Sequence, residues 1–90
     1  MTDQVGPVLE ASETGRAVIE AIRADNADVV VIDGDAYLRV LVPRRCRLTR
    51  AAIEAALGRA FRLPGDLELV MPSFKGAFKV TADEAIWEAR

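Results

Sequence analysis

Four arginines crowd one stretch of the chain: Arg44, Arg45, Arg47 and Arg50. Grouped guanidinium ions could grip a phosphate or an acidic partner surface through charge-assisted hydrogen bonds. The plainer reading is a solvated loop and helix start, because arginine is mostly exposed in any fold. Arg50 leans toward a partner, since it falls in the first turn of an expected helix, where the helix dipole disfavours a cation. A nucleic-acid partner would also want aromatic platforms for bases. Tyr37, Phe61, Phe74 and Phe78 make no RNA-binding signature, and no basic Gly-Phe-Gly-Phe string occurs.

The other reactive groups are fewer. Cys46 has neighbouring arginines that would lower its pKa and favour the thiolate. The chain contains no histidine to act as its base, and a free cysteine more often packs as a small hydrophobe. Glu10, Glu13 and Glu20, and Asp83 with Glu84, could supply carboxylate acid-base chemistry. They have no histidine, glycine-rich cradle or metal set beside them, so they read as solvated charge. Asp33-Gly34-Asp35 copies part of a calcium loop but lacks the remaining ligands and the closing glutamate. It reads as a hairpin turn. This inventory points away from chemistry by the chain alone and toward action on a partner.

Ninety residues are enough for one small domain. A hydrophobic fraction of 51% supports a core without covalent staples. A formal net charge of -2 lacks the basic footprint of a nucleic-acid binder. A single cysteine cannot form an internal disulfide. No apolar run approaches the length of a membrane span, and Met1 to Glu10 has neither the basic nor the apolar region of a secretory signal. The expectation is a cytoplasmic protein.

The elements that must position any site follow from local pattern. Residues 1–7 read as a loose arm broken by Gly6-Pro7, with Val8 and Leu9 able to dock. Ser12 caps a helix running to about Asp25, with Gly15, Val18, Ile19 and Ile22 on its core face. Asn26 suits a left-handed helix end. Val29 to Ile32 is a β-branched run typical of a buried strand. Asp33-Gly34 turns it into a second strand, whose Leu38, Val40 and Val42 share one face. Pro43 ends that strand. Thr49 caps a second helix over Arg50 to Leu57, with Ile53, Ala56 and Leu57 inward and Gly58 beyond its end. Phe61 and Leu63 lock the next turn onto the core. Asp66 to Met71 alternates like a strand, and Ala77 to Thr81 and Ala85 to Glu88 complete the set. The order is (β)αββαβββ, an α+β fold of two helices on antiparallel strands over residues 1–90.

Between the last strands lies Pro72-Ser73-Phe74-Lys75-Gly76, a short link bearing a large ring and a cation. An aromatic on a rigid loop is a typical interface anchor. The alternative is that Phe74 folds back into the core.

The order of these elements and several strings resemble the small effector, or coupling, proteins of soluble bacterial multicomponent di-iron monooxygenases. The strings are Val18-Ile19-Glu20-Ala21-Ile22-Arg23-Ala24-Asp25-Asn26, then Ala36-Tyr37, then Leu57-Gly58-Arg59-Ala60-Phe61, then Glu68-Leu69 through Gly76. The resemblance spans roughly Val5 to Trp87, and Val5-Gly6-Pro7-Val8 looks most like the toluene and alkene branch. Ala60 and Ala27 depart from the family, which favours proline at both. The resemblance implies a cofactor-free, non-enzymatic protein that docks on a hydroxylase component above its di-iron centre and raises turnover and coupling of hydrocarbon oxidation. It implies a functional link to a ferredoxin and a reductase. It gives Ser73, Phe74, Lys75 and Gly76 as the expected contacts, with Asn26 and the exposed face of the first helix after them. The arginines around Arg44 would steer an acidic partner surface. From another class, a small α+β nucleic-acid or ligand-binding module is the alternative.

Overall fold

The computed structural model describes residues 3–90. Two antiparallel sheets enclose one core, with the helices packed between and beside them. The first sheet has the order β2-β3-β1-β5, built from β1 (Gln4–Glu10), β2 (Val30–Asp33), β3 (Tyr37–Pro43) and β5 (Ser73–Lys75). The second has the order β4-β7-β6, from β4 (Arg45–Thr49), β6 (Ala77–Val80) and β7 (Glu84–Glu88). Three helices complete the chain: α1 (Glu13–Asp25), α2 (Arg50–Leu57) and the single turn α3 (Gly65–Glu68). The α+β class stands.

Helix α1 forms where its pattern demands. The Ser12 hydroxyl accepts from Gly15 N at 3.1 Å, satisfying one orphan donor of the first turn. Val18, Ile19 and Ile22 are buried in the core. Gly15 is required by the packing, because a Cβ there would sit 1.9 Å from the Glu10 carbonyl oxygen. Helix α2 is capped as expected by Thr49, and Gly58 closes it in the left-handed conformation with φ of 78°. Ile53 is fully buried; Ala56 and Leu57 are only half-buried.

Several expectations about these elements fail, each for a physical reason. The loose arm over 1–7 is strand from Gln4 onward; residues 1 and 2 lie outside the described part. Pro7 is buried in mid-strand. The β1–β3 register pairs Gln4, Val5, Val8, Leu9 and Glu10 and passes over Gly6 and Pro7, so the missing proline N–H falls at a gap in that ladder, while on its other side Pro7 stands opposite Phe74 of β5. Arg45–Thr49 is a strand hidden by its charges: Cys46 and Leu48 point into the core while Arg45 and Arg47 face out. Asp66 to Met71 is no strand but the turn of α3 and its exit. Its buried residues are Leu67, Val70 and Met71, at helical spacing, and Leu69 is 76% exposed. The run Val29 to Ile32 is not a buried strand either. It forms an edge strand with Val30 and Ile32 each 51% exposed.

Candidate partner-binding site

The residues singled out at Ser73 to Gly76 form a corner between the sheets. Ser73–Lys75 is not a free loop but the edge strand β5, pairing Val8 with Ser73, Pro7 with Phe74 and Gly6 with Lys75. Gly76 then turns the chain directly into β6 of the other sheet, at φ of 108°. Any side chain at Gly76 would collide with the core, since its Cβ would lie 2.8 Å from the Glu88 carbonyl oxygen and 2.9 Å from Val5 Cγ1. A groove of about 270 Å³ beside this corner is lined by Gln4, Val5, Lys75, Gly76 and Ala89.

Phe74 combines the two readings of the sequence. It remains 44% exposed, and its ring packs on Phe78 with centroids 5.2 Å apart. Phe78 in turn stacks on the fully buried Trp87, again at 5.2 Å. The surface ring is therefore supported by a column of aromatics reaching the core, a rigid mount for an exposed anchor. The Trp87 indole Nε1 is buried with no hydrogen-bond partner.

Asn26 lies elsewhere. Its backbone is extended rather than left-handed, because its side chain does the work of ending α1. The amide nitrogen donates to the Ile22 carbonyl at 2.8 Å and to the Arg47 carbonyl at 2.6 Å, while its oxygen accepts from Arg47 N at 2.9 Å. Asn26 thus mimics a strand neighbour for β4, an edge strand across the second sheet from β6. The structure does not bring it together with Ser73 to Gly76. Asp25 adds a second tie, accepting from both the backbone N and the hydroxyl of Thr49 at 2.9 Å.

The arginine group splits. Arg47 Nε bonds Glu84 at 2.8 Å, a hydrogen bond that raises its pKa further. Arg50 lies 3.4 Å from Asp83. Arg44 adopts φ of 66° in the tight link from β3 to β4, where its N donates to the Asp3 carbonyl and its carbonyl accepts from Ala89 N. Cys46 packs as a hydrophobe, as read. Burial, and then Asp25, push its thiol up to about 12, so no thiolate forms near neutrality. Among the described residues no three His, Cys, Asp or Glu gather to hold a metal ion, and no helix is long and apolar enough to cross a membrane.

A two-sheet α+β domain whose exposed features are an aromatic corner and open sheet surface has the build of a binding component. The chain matches the model of the MmoB/DmpM family over residues 3–88, and it belongs to that family. It is 47% identical over 85 residues to the effector subunit of the alkene monooxygenase system of Xanthobacter autotrophicus (strain ATCC BAA-1158 / Py2), a span of 92% of this chain and 83% of that one. Its fold matches a chain of the phenol hydroxylase–regulatory protein complex with TM-score 0.87 at 24% identity, covering 98% of this chain and 100% of that one. A second structure of such a complex matches with TM-score 0.83, again at 24% identity, over 96% and 99% of the two chains.

Proposed function

We propose that this chain is the effector component of a multicomponent hydrocarbon monooxygenase, non-catalytic itself and acting by binding the hydroxylase component. The observation that carries the reading is the 47% identity with an alkene monooxygenase effector subunit across nearly the whole chain. Ser73, Phe74, Lys75 and Gly76 supply contacts at the corner, with Phe74 the anchor on its aromatic column. Asn26 acts at a distance from them, fixing the end of α1 against β4. The di-iron centre and the substrate pocket belong to the hydroxylase, and the complex works in the cytoplasm alongside its ferredoxin and reductase.

The mechanism is a population shift. A protein with no reactive group changes another's rate only by binding one of its conformations more tightly than the others. A tenfold change in hydroxylase state needs about 1.4 kcal/mol of differential affinity, well within reach of one aromatic anchor. The test is steady-state oxygenation by the cognate hydroxylase, ferredoxin and reductase, titrated with this protein. Product formation rises to an optimum near one effector per active site; a flat titration with folded protein ends the reading.

A further inference from the structure

Strand register fixes which side chains share the outer face of the first sheet. Leu38, Val40 and Val42 point inward, so Tyr37, Arg39 and Leu41 point out. Directly opposite Arg39 stand Ile32 on one side and Val8 on the other, and Val30 stands opposite Leu41. No helix or second sheet covers these positions. Val30 and Ile32 are each 51% exposed and Tyr37 49%, three of the five large hydrophobics left open on the described surface. Val8 and Leu41 between them are half-buried. A contiguous apolar surface of this kind marks a protein contact rather than a solvated face.

The charges say what covers it. Arg39 stands in the middle of the apolar strip, with Ile32 and Val8 directly opposite it, and like several other cations of the chain it forms no ion pair among the described residues. What sets it apart is that its neighbours across the strands are apolar. Burying Arg39 without a counter-ion would be costly, so the surface that covers the strip must bring a carboxylate. The same register sets Ser73 opposite Val8 and Lys75 opposite Gly6, on the same outer side. The face therefore reaches Ser73 and Lys75 of the corner, while Phe74, opposite the buried Pro7, lies on the other side of β5. A second copy of this chain fits poorly, because it would oppose the face's two cations, Arg39 and Lys75, to their equals with only Glu10 to offset them.

We infer that the outer face of the first sheet, carried by Val8, Val30, Ile32, Tyr37, Arg39 and Leu41, is the docking surface for an apolar, carboxylate-bearing surface of the hydroxylase component. This rests on the effector reading and extends it from a corner to a sheet. Tyrosine and arginine are the residue types that dominate binding energy at such centres.

Arg39→Glu and the double variant Val30→Thr with Ile32→Thr test it, each checked for an unchanged thermal midpoint. Both keep strand-forming or solvent-facing character where no intramolecular ion pair is lost. In the oxygenation titration, each raises the half-saturating effector concentration about tenfold or more, while Leu69→Asp, just after α3, titrates as the wild type. Folded variants with the wild-type curve overturn the docking face and leave the effector reading intact. A flat curve for the wild type itself brings down both. Sedimentation of the protein alone from micromolar to millimolar concentration provides the remaining arm. Self-association abolished by the Val30 and Ile32 substitutions would assign the face to a second copy and overturn the occupant named here.

Discussion

The two sheets share a core and differ in what they turn outward. On the second sheet, Arg47 of β4 reaches Glu84 of β7 at 2.8 Å, and Lys79 of β6 lies 3.6 Å from Glu88 of β7. Two of its outer-face cations are answered within the sheet, and Arg45 alone is left without a partner among the described residues. On the first sheet, Val30, Ile32 and Tyr37 lie open around an unanswered Arg39. The contrast teaches that the division of labour runs by sheet: the second turns out mostly charged, ion-paired residues, and the first turns out an apolar strip suited to a covering surface.

The sharpest break would come in the second sheet's core. Trp87→Ala removes the largest fully buried side chain and is expected to cost about 3–5 kcal/mol, read as a large drop in the denaturant midpoint or loss of folding. Retention of a near-wild-type midpoint would mean that the second sheet is not the stable half. Next comes the tie between α1 and β4. Asn26→Ala strips three hydrogen bonds and should cost about 1–3 kcal/mol because the Arg47 N–H and carbonyl lose their side-chain partner. Asn26→Asp, which keeps the acceptor but not the donor, should fall between.

Phe74→Ala separates the sheets most directly. The ring's contact with Phe78 is worth about 1 kcal/mol, so the midpoint should move little while the oxygenation titration weakens several-fold. Unfolding instead would place Phe74 with the core. A smaller effect is the alkaline limb of stability. Burial raises the folded Cys46 thiol from 9.0 to about 12, so between those values the folded state holds a proton that the unfolded state has lost. Stability therefore falls as pH rises through that window, and Cys46→Ala should flatten the fall in pH-dependent unfolding curves. Smallest of all, Arg47→Ala should leave the midpoint almost where it was, with any change fading in high salt, as exposed ion pairs do.

How legible this was depended on whether local pattern or tertiary pairing decided the outcome. Ser12, Thr49 and Gly58 bound the two main helices from local chemistry alone, and Asp33-Gly34 marked the hairpin. Strand β4 carried a valid alternation, with Cys46 and Leu48 inward, but the four arginines in and beside it looked like a loop. At Asp66 to Met71 two periods competed, and alternation at Leu67, Leu69 and Met71 masked the helical set Leu67, Val70 and Met71. Pro7 defeated the rule against mid-strand proline because its neighbours on β3 do not pair there, a fact available only from the folded register. The corner at Ser73 to Gly76 was visible as a ring and a cation on a short link. The open face around Arg39 was not, since Val30 and Ile32 look like core until β2 proves to be an edge.

The aromatic column also makes the molecule its own optical probe. Trp87 is the only tryptophan, fully buried and without a hydrogen-bond partner at its indole nitrogen. It therefore sits where its emission reports a dry, apolar surrounding. Two ring contacts of 5.2 Å connect it to Phe74 at the surface. Any event that shifts Phe74 is relayed to a single fluorophore through stacked rings, so occupancy of that corner can be followed in the unlabelled protein by the colour and lifetime of one residue.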